Sequence, residues 1–246
     1  MFQVTTAIRK IYSLNKRIKI IQGGTSAGKT FGILPVLIDK CAREKGLEVS
    51  VVAETIPHLR RGALKDFLKI MRWTGRYVED RFNATLLRYE FANGSSMEFF
   101  SADNASKLRG ARRDVLYINE CNNVTFDAYL ELSIRTKKEI YLDFNPANEF
   151  WVHKELKDEP EADFIILTYK DNEALDKGIV DQIEKNRLKA ETSTYWRNWW
   201  KVYGLGELGM LEGVVFSNWK QIDTIPKEAR LVGIGLDFGY TNDPTS

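Results

Sequence analysis

The chain has 246 residues, 43% of them hydrophobic and 28% charged, the make-up of a folded globular protein and not of a collagen-like, disordered or disulfide-scaffold chain. Its 36 Lys and Arg against 34 Asp and Glu leave a net charge of +2, so a nucleic-acid partner would have to be met by a local basic surface. The two cysteines, Cys41 and Cys121, lie far apart and outside any CxxC, which excludes a disulfide framework or a zinc knuckle and fits a reducing compartment.

No apolar run approaches the ~20 residues that cross a bilayer. The N-terminal stretch MFQVTTAIRKIYSLNKR has neither the apolar core nor the cleavage site of a secretory signal, so the expected setting is the cytosol, with no membrane. From there the chain alternates strand and helix patterns. Ile18 to Ile21 (IKII) reads as a buried strand, followed by a Gly-rich turn and a helix from about Lys29 to Glu44. Val49 to Ala53 is a second strand, and Pro57 opens a helix running to about Trp73. Leu86 to Phe91 and Met97 to Phe100 flank Asn93-Gly94, a hairpin turn pair. Val115 to Ile118 is a strand, a helix spans about Thr125 to Thr136, and Ile140 to Phe144 is a strand again. This recurrence predicts an α/β fold with a mainly parallel sheet flanked by helices.

Past Trp151 the pattern changes. Phe164 to Thr168 offers one more strand, and Gly178 to Tyr203 reads as one long charged helix ending in Trp196, Trp199 and Trp200. Leu231 to Asp237 (LVGIGLD) reads as a strand with little chain after it, and is expected to open a further domain. The expected division is a core over 1–150, a small lid and linker over 151–228, and the first strand of a truncated domain over 229–246.

The chemistry is concentrated in Gly23-Gly24-Thr25-Ser26-Ala27-Gly28-Lys29-Thr30, which matches G-x-x-x-x-G-K-[ST] between a strand and a helix, the context that the motif demands. Glycines let the backbone curl so that its N–H groups face phosphate oxygens, and the helix N-terminus adds its dipole. Lys29 would reach the β- and γ-phosphates, and the Thr30 hydroxyl would ligate Mg²⁺. A loop of this kind binds ATP, and hydrolysis calls for an apolar strand ending in acidic residues. Val115-Leu116-Tyr117-Ile118-Asn119-Glu120 supplies it, with Glu120 as the catalytic base. At the preceding position stands Asn119, which could still accept from a metal-bound water through its amide oxygen but brings no charge. Weaker Mg²⁺ binding without nucleotide is therefore expected.

Arg109, in the basic run before that strand, would fall at the far end from Glu120 and could serve the nucleotide of a neighbouring subunit as an arginine finger. A solvated basic loop is the other reading of that run. The strand Ile140 to Phe144 runs into Asn145-Pro146, where a polar side chain could sense the γ-phosphate. Asn145 is favoured over Asp143 for this role, and a turn started by Asn-Pro is the alternative. His58 and His153 read as surface or helix-face residues, and the tryptophan cluster as core.

These stretches together resemble the large terminase subunit of tailed bacteriophages, the ATP-driven motor that packages DNA into the prohead. The stations fall in order: GGTSAGKT, KLRGARRDVLYINE, DFNPANEFWVHKEL, GLGELGMLEGVVF and LDFGYTNDPT. The resemblance implies an ASCE-type P-loop ATPase core with a small lid. It places Lys29 and Thr30 on phosphate and Mg²⁺, Glu120 as base, Asn145 in coupling, Arg109 as an inter-subunit finger, and Asp237 as the first metal-binding carboxylate of an RNase-H-like nuclease. Asp237, with Asp243 at most, falls short of the carboxylates that a two-metal site requires, so no cleavage of DNA is expected from this stretch. Thr25 stands where many relatives carry arginine, which favours a finger from a neighbour. The implied partners are double-stranded DNA held by its phosphates, the small terminase subunit and the portal of the prohead, in the host cell cytoplasm. The active form would be a homo-oligomeric ring, with a monomer in solution compatible with it. A helicase or other DNA-remodelling ATPase, a small-molecule kinase, and an assembly protein holding nucleotide as a structural ligand are the rival readings.

Overall fold

Strands rich in Ile, Val and Leu need cover on both faces, and the chain supplies it with helices on either side of one eight-stranded sheet. The computed structural model describes residues 2–103, 112–209, 224 and 228–230. The strands are β1 (Ile18–Gly23), β2 (Glu48–Ala53), β3 (Phe82–Asn83), β4 (Arg88–Glu90), β5 (Ser96–Ser101), β6 (Arg113–Ile118), β7 (Thr136–Phe144) and β8 (Ala162–Leu167). Their order is β3-β4-β5-β2-β6-β7-β1-β8. From β5 through β8 neighbouring strands are parallel, while β3, β4 and β5 form an antiparallel edge. The hairpin expected at Asn93-Gly94 joins β4 to β5, with Gly94 at φ +83°.

The helices are α1 (Thr6–Tyr12), α2 (Lys29–Arg43), α3 (Ile56–Arg61), α4 (Ala63–Trp73), α5 (Phe126–Ser133), α6 (Lys177–Lys189) and α7 (Thr194–Trp199). One face of the sheet packs α2 and α4 through Ile33, Leu37, Phe67 and Met71 onto Ile21, Val51 and Tyr117. The other packs Leu132 and Val152 onto Ile20, Leu116, Ile118 and Leu142. In β1 the adjacent Ile20 and Ile21 serve opposite faces, so apolar residues stand next to one another and do not alternate with polar ones.

Three of the expected helices are corrected. The helix from Pro57 to Trp73 is two helices: at Gly62 the backbone takes φ −101°, ψ −111°, and the turn of α3 carries His58 to the end of β6. The helix near Thr125 ends at Ser133, because β7 begins at Thr136. The long helix from Gly178 is broken between Ala190 and Ser193, where β-branched Thr192 and the hydroxyl of Ser193 disfavour helix, and Ser193 caps α7. Beyond it a π-helical turn spans Trp200–Gly204, and the tryptophans expected in the core are half-buried. β8 falls in the stretch assigned to the lid, yet pairs along β1 from Ile18 to Gly23. The chain divides after Met210. Arg109, Asp237 and the strand expected over 231–237 lie outside the described residues.

Lys19 is the charged exception within β1, 2% exposed. Its ammonium donates to the Lys16 carbonyl at 2.6 Å and lies 3.4 Å from the Glu139 carboxylate. Burial lowers the Lys19 pKa, and Glu139 opposes that shift. Glu139 is also held by Lys40 at 2.9 Å and by the Tyr141 hydroxyl at 2.8 Å. A buried ion pair repays little beyond its desolvation, so Lys19→Met leaves Glu139 partnered. Urea unfolding should place its stability within about 1 kcal/mol of wild type, or above it. A loss of about 3 kcal/mol or more would show instead that the pair is a net source of stability.

Candidate active site

The phosphate-loop motif begins at the last residue of β1 and ends in the first turn of α2. Ser26 and Gly28 take left-handed backbone at φ +60° and +78°, successive turns that aim amide N–H groups into a common hollow. At Gly28 the left-handed conformation itself calls for glycine. At Gly24 the reason is space: a Cβ there would sit 2.2 Å from the Tyr203 carbonyl oxygen. The loop is thus pressed against the π-helical turn that follows α7.

Lys29 is half-buried. Its ammonium donates to the carbonyls of Gly23 and Gly24, both at 3.0 Å, and to Asn145 Oδ1 at 2.6 Å. Burial lowers its pKa, against which the carboxylates of Asp143 and Glu120 act. The strand ends supply the rest. β7 pairs with β1 on one side and β6 on the other, with Ile21 opposite Asp143 and Ile118 opposite Leu142. Asn119 and Asp143 therefore emerge at the same level on adjacent strands.

Asp143 is 1% exposed. Its Oδ1 accepts from the Tyr117 hydroxyl at 2.9 Å, Asn119 Nδ2 at 3.0 Å and the Glu120 amide at 3.1 Å. A carboxylate only accepts, so Asn119 must turn its nitrogen toward it. That nitrogen also lies 3.4 Å from the Thr30 hydroxyl, while the amide oxygen lies toward Gly62, 3.5 Å from where a Cβ would stand. The acceptor role expected of Asn119 is not the one in this arrangement.

Glu120 has φ +53°, a left-handed conformation that costs a non-glycine residue roughly 1–2 kcal/mol and is typical of functional positions. Its carboxylate lies 3.1 Å from His58 Nε2. The sequence read His58 as a helix-face residue; the break at Gly62 is what orients α3 so that it reaches Glu120. Asn172, for which the sequence held no signal, donates to the Ser26 carbonyl at 2.9 Å.

Loop residues 25–30, Glu120, Asp143, Asn145 and Asn172 line one cavity of about 690 Å³. Phe31, Asp66 and Trp73 line it as well, with Lys69 over the Trp73 ring at 4.3 Å. Among the described residues no group of three His, Cys, Asp or Glu is placed to hold a metal by itself. The second histidine is a structural link. The Phe150 amide donates to His153 Nδ1 at 3.3 Å, so Nε2 carries the proton and donates to Gln22 Oε1 at 3.1 Å. Gln22 Nε2 in turn donates to the Gly206 carbonyl at 2.6 Å. Burial holds the His153 pKa below the ordinary histidine value.

The family model for phage terminase large subunits matches residues 15–204. No curated protein matches the sequence. Among solved structures, the large terminase of a thermophilic bacteriophage in complex with ADP aligns with a TM-score of 0.70 at 17% identity, over 96% of this chain and 62% of that one. The large terminase ATPase domain of Thermus phage P74-26 gives 0.64 at 13% identity, over 84% and 94%. The HK97 bacteriophage large terminase gives 0.65 at 10%, over 84% and 51%. At such identities the likeness is one of fold, and the chain spans less than two thirds of the ADP-bound terminase and of the HK97 protein.

Asp66 has a pKa raised to about 6 by burial, with Lys69 and Lys65 pulling it down. The folded chain therefore keeps this proton to higher pH than the unfolded chain does. Between the ordinary aspartate range and about pH 6 the folded state binds more protons, so stability falls as pH rises. Asp66→Asn removes that slope. Its stability relative to wild type, from urea melts at pH 4 and pH 7, should improve by about 2 kcal/mol across the interval. Parallel pH profiles for the two proteins would contradict the assignment.

Proposed function

We infer the activity from one premise: this chain belongs to the phage terminase large subunit family. The chain binds Mg-ATP and hydrolyses it to drive double-stranded DNA into a prohead. The observation that carries this reading is the convergence of loop residues 25–30, Glu120 and Asn145 on a single cavity. In the roles we assign, loop N–H groups and the α2 N-terminus receive the phosphates. Lys29, now held by two loop carbonyls and Asn145, turns to the β- and γ-phosphates. Its contact with Asn145 makes that residue the link through which the phosphate state reaches β7. Glu120 takes the proton of the attacking water, and His58 orients its carboxylate.

The donor set suits Mg²⁺. The Thr30 hydroxyl and carboxylates lining the same cavity are hard oxygen ligands, and Mg²⁺ is usually held by one or two carboxylates together with substrate phosphates. When bound, the ion neutralises charge developing on the phosphoryl oxygens. The stretch after β8 is assigned as the lid, since Asn172 and Tyr203 reach the loop from there. Arg109 is assigned as a finger for a neighbouring subunit's nucleotide, and Asp237 as the first carboxylate of a nuclease domain. DNA is held by its phosphates, because a motor must accept any sequence. The small terminase subunit and the portal of the prohead complete the assembly in the host cytoplasm.

Steady-state ATP hydrolysis, with and without linear duplex DNA and across protein concentration, tests the reading. Glu120→Ala should lower turnover by about 10²–10⁴-fold while nucleotide still binds. Lys29→Ala should weaken nucleotide binding by about tenfold or more. Specific activity should rise with protein concentration, and Arg109→Ala should abolish that rise. Turnover unchanged in Glu120→Ala would reject hydrolysis at this site and leave nucleotide as a structural ligand.

A further inference from the structure

The strand that should bring a carboxylate to the metal ends in Asn119, yet the site is not short of charge. Asp143, on the next strand, stands at the same level and within hydrogen-bond distance of Asn119, whose nitrogen also lies near the Thr30 hydroxyl. Its side chain is almost wholly buried, but it lines the cavity beside Lys29, Thr30 and Glu120. The hydrogen bonds it accepts, from Tyr117, Asn119 and Glu120, all fall on Oδ1 among the described residues. That arrangement fixes the carboxylate plane with neutral donors and leaves Oδ2 for another partner. The Lys29 ammonium supplies part of the counter-charge that a carboxylate removed from water calls for, and the open oxygen can take a second cation.

We propose that Asp143 supplies the negative charge that faces the Mg²⁺ of bound Mg-nucleotide, the role left vacant by Asn119. This rests on the nucleotide reading above. It also accounts for the asparagine. An aspartate at 119 would put a second acceptor about 3 Å from Asp143, where the pair needs a donor. Asparagine supplies that donor through Nδ2. The carboxylate has moved one strand across, and an amide has taken its former place.

Equilibrium binding of mant-ADP in Mg²⁺ and in EDTA distinguishes this role from a purely architectural one. In wild type, Mg²⁺ should tighten binding by about tenfold or more. In Asp143→Asn that gain should shrink below about twofold. Binding in EDTA should hold steady or tighten, because a negative charge near the phosphates is gone. The exchange Asn119→Asp/Asp143→Asn keeps one carboxylate and one amide in the pair. It should fold even if Asp143→Asn alone does not, and it should restore the Mg²⁺ gain. Circular dichroism melts report the fold of each variant. An Asp143 that only braces Tyr117 and Asn119 would weaken both titrations alike and would overturn the proposal. So would a Mg²⁺ gain that survives in Asp143→Asn, or a folded exchange variant that fails to regain it. If wild type binds no mant-ADP in either buffer, the nucleotide reading itself falls and takes this one with it.

Discussion

The arrangement depends on the register of β7. Paired in parallel with β1 on one side and β6 on the other, it brings Gly23, Asn119 and Asn145 out at one edge of the sheet. A slip of one residue along either neighbour would turn Asp143 to the other face and bury Phe144 or Leu142 among polar groups. The helices on both faces fix that register, because β7 places Tyr141 against one core and Ile140, Leu142 and Phe144 against the other. The packing of apolar side chains thus decides where the polar ones emerge.

Those polar ends are costly to bury, and they hold one another. Tyr117, Asn119 and the Glu120 amide converge on one oxygen of Asp143, and Lys29 is spread over three acceptors. Removing one member leaves the others short of a partner in a low-dielectric place, where that loss is largest. The left-handed Glu120 is held between such bonds. Its amide donates to Asp143, and its carbonyl accepts from Asn123 at 3.0 Å. Strain at Glu120 is sustained by groups that are not themselves strained.

What was legible in the sequence was what is local. The loop 23–30 declares itself because glycine positions, lysine and threonine act through one continuous backbone. The strands on either side of Asn119 and Asn145 follow from apolar runs. The His58–Glu120 contact was not legible, because it depends on a kink at Gly62 and on the neighbouring positions of β2 and β6. From the sequence Asp143 reads only as a sensor behind Asn145; its closeness to Asn119 is a matter of register between two strands, which one sequence does not print. The break after Ala190 was available in the run Glu-Thr-Ser-Thr but was outweighed by the charged helical pattern on either side. β8 was read as a strand, and its place in the core sheet beside β1 comes from pairing alone.

The link from Gln22 through His153, and from Gln22 to Gly206, has a further consequence. It ties the strand that feeds the phosphate loop to the backbone beyond α7, and every member of it is neutral. Counter-ions weaken attraction between charges and leave hydrogen bonds between uncharged groups almost untouched. Ionic strength would therefore loosen any surface that tracks a phosphate backbone while the internal strut keeps its stiffness. Any grip on a polyanion and the mechanical continuity of this sheet would answer to different solution variables, so salt would release the one without slackening the other.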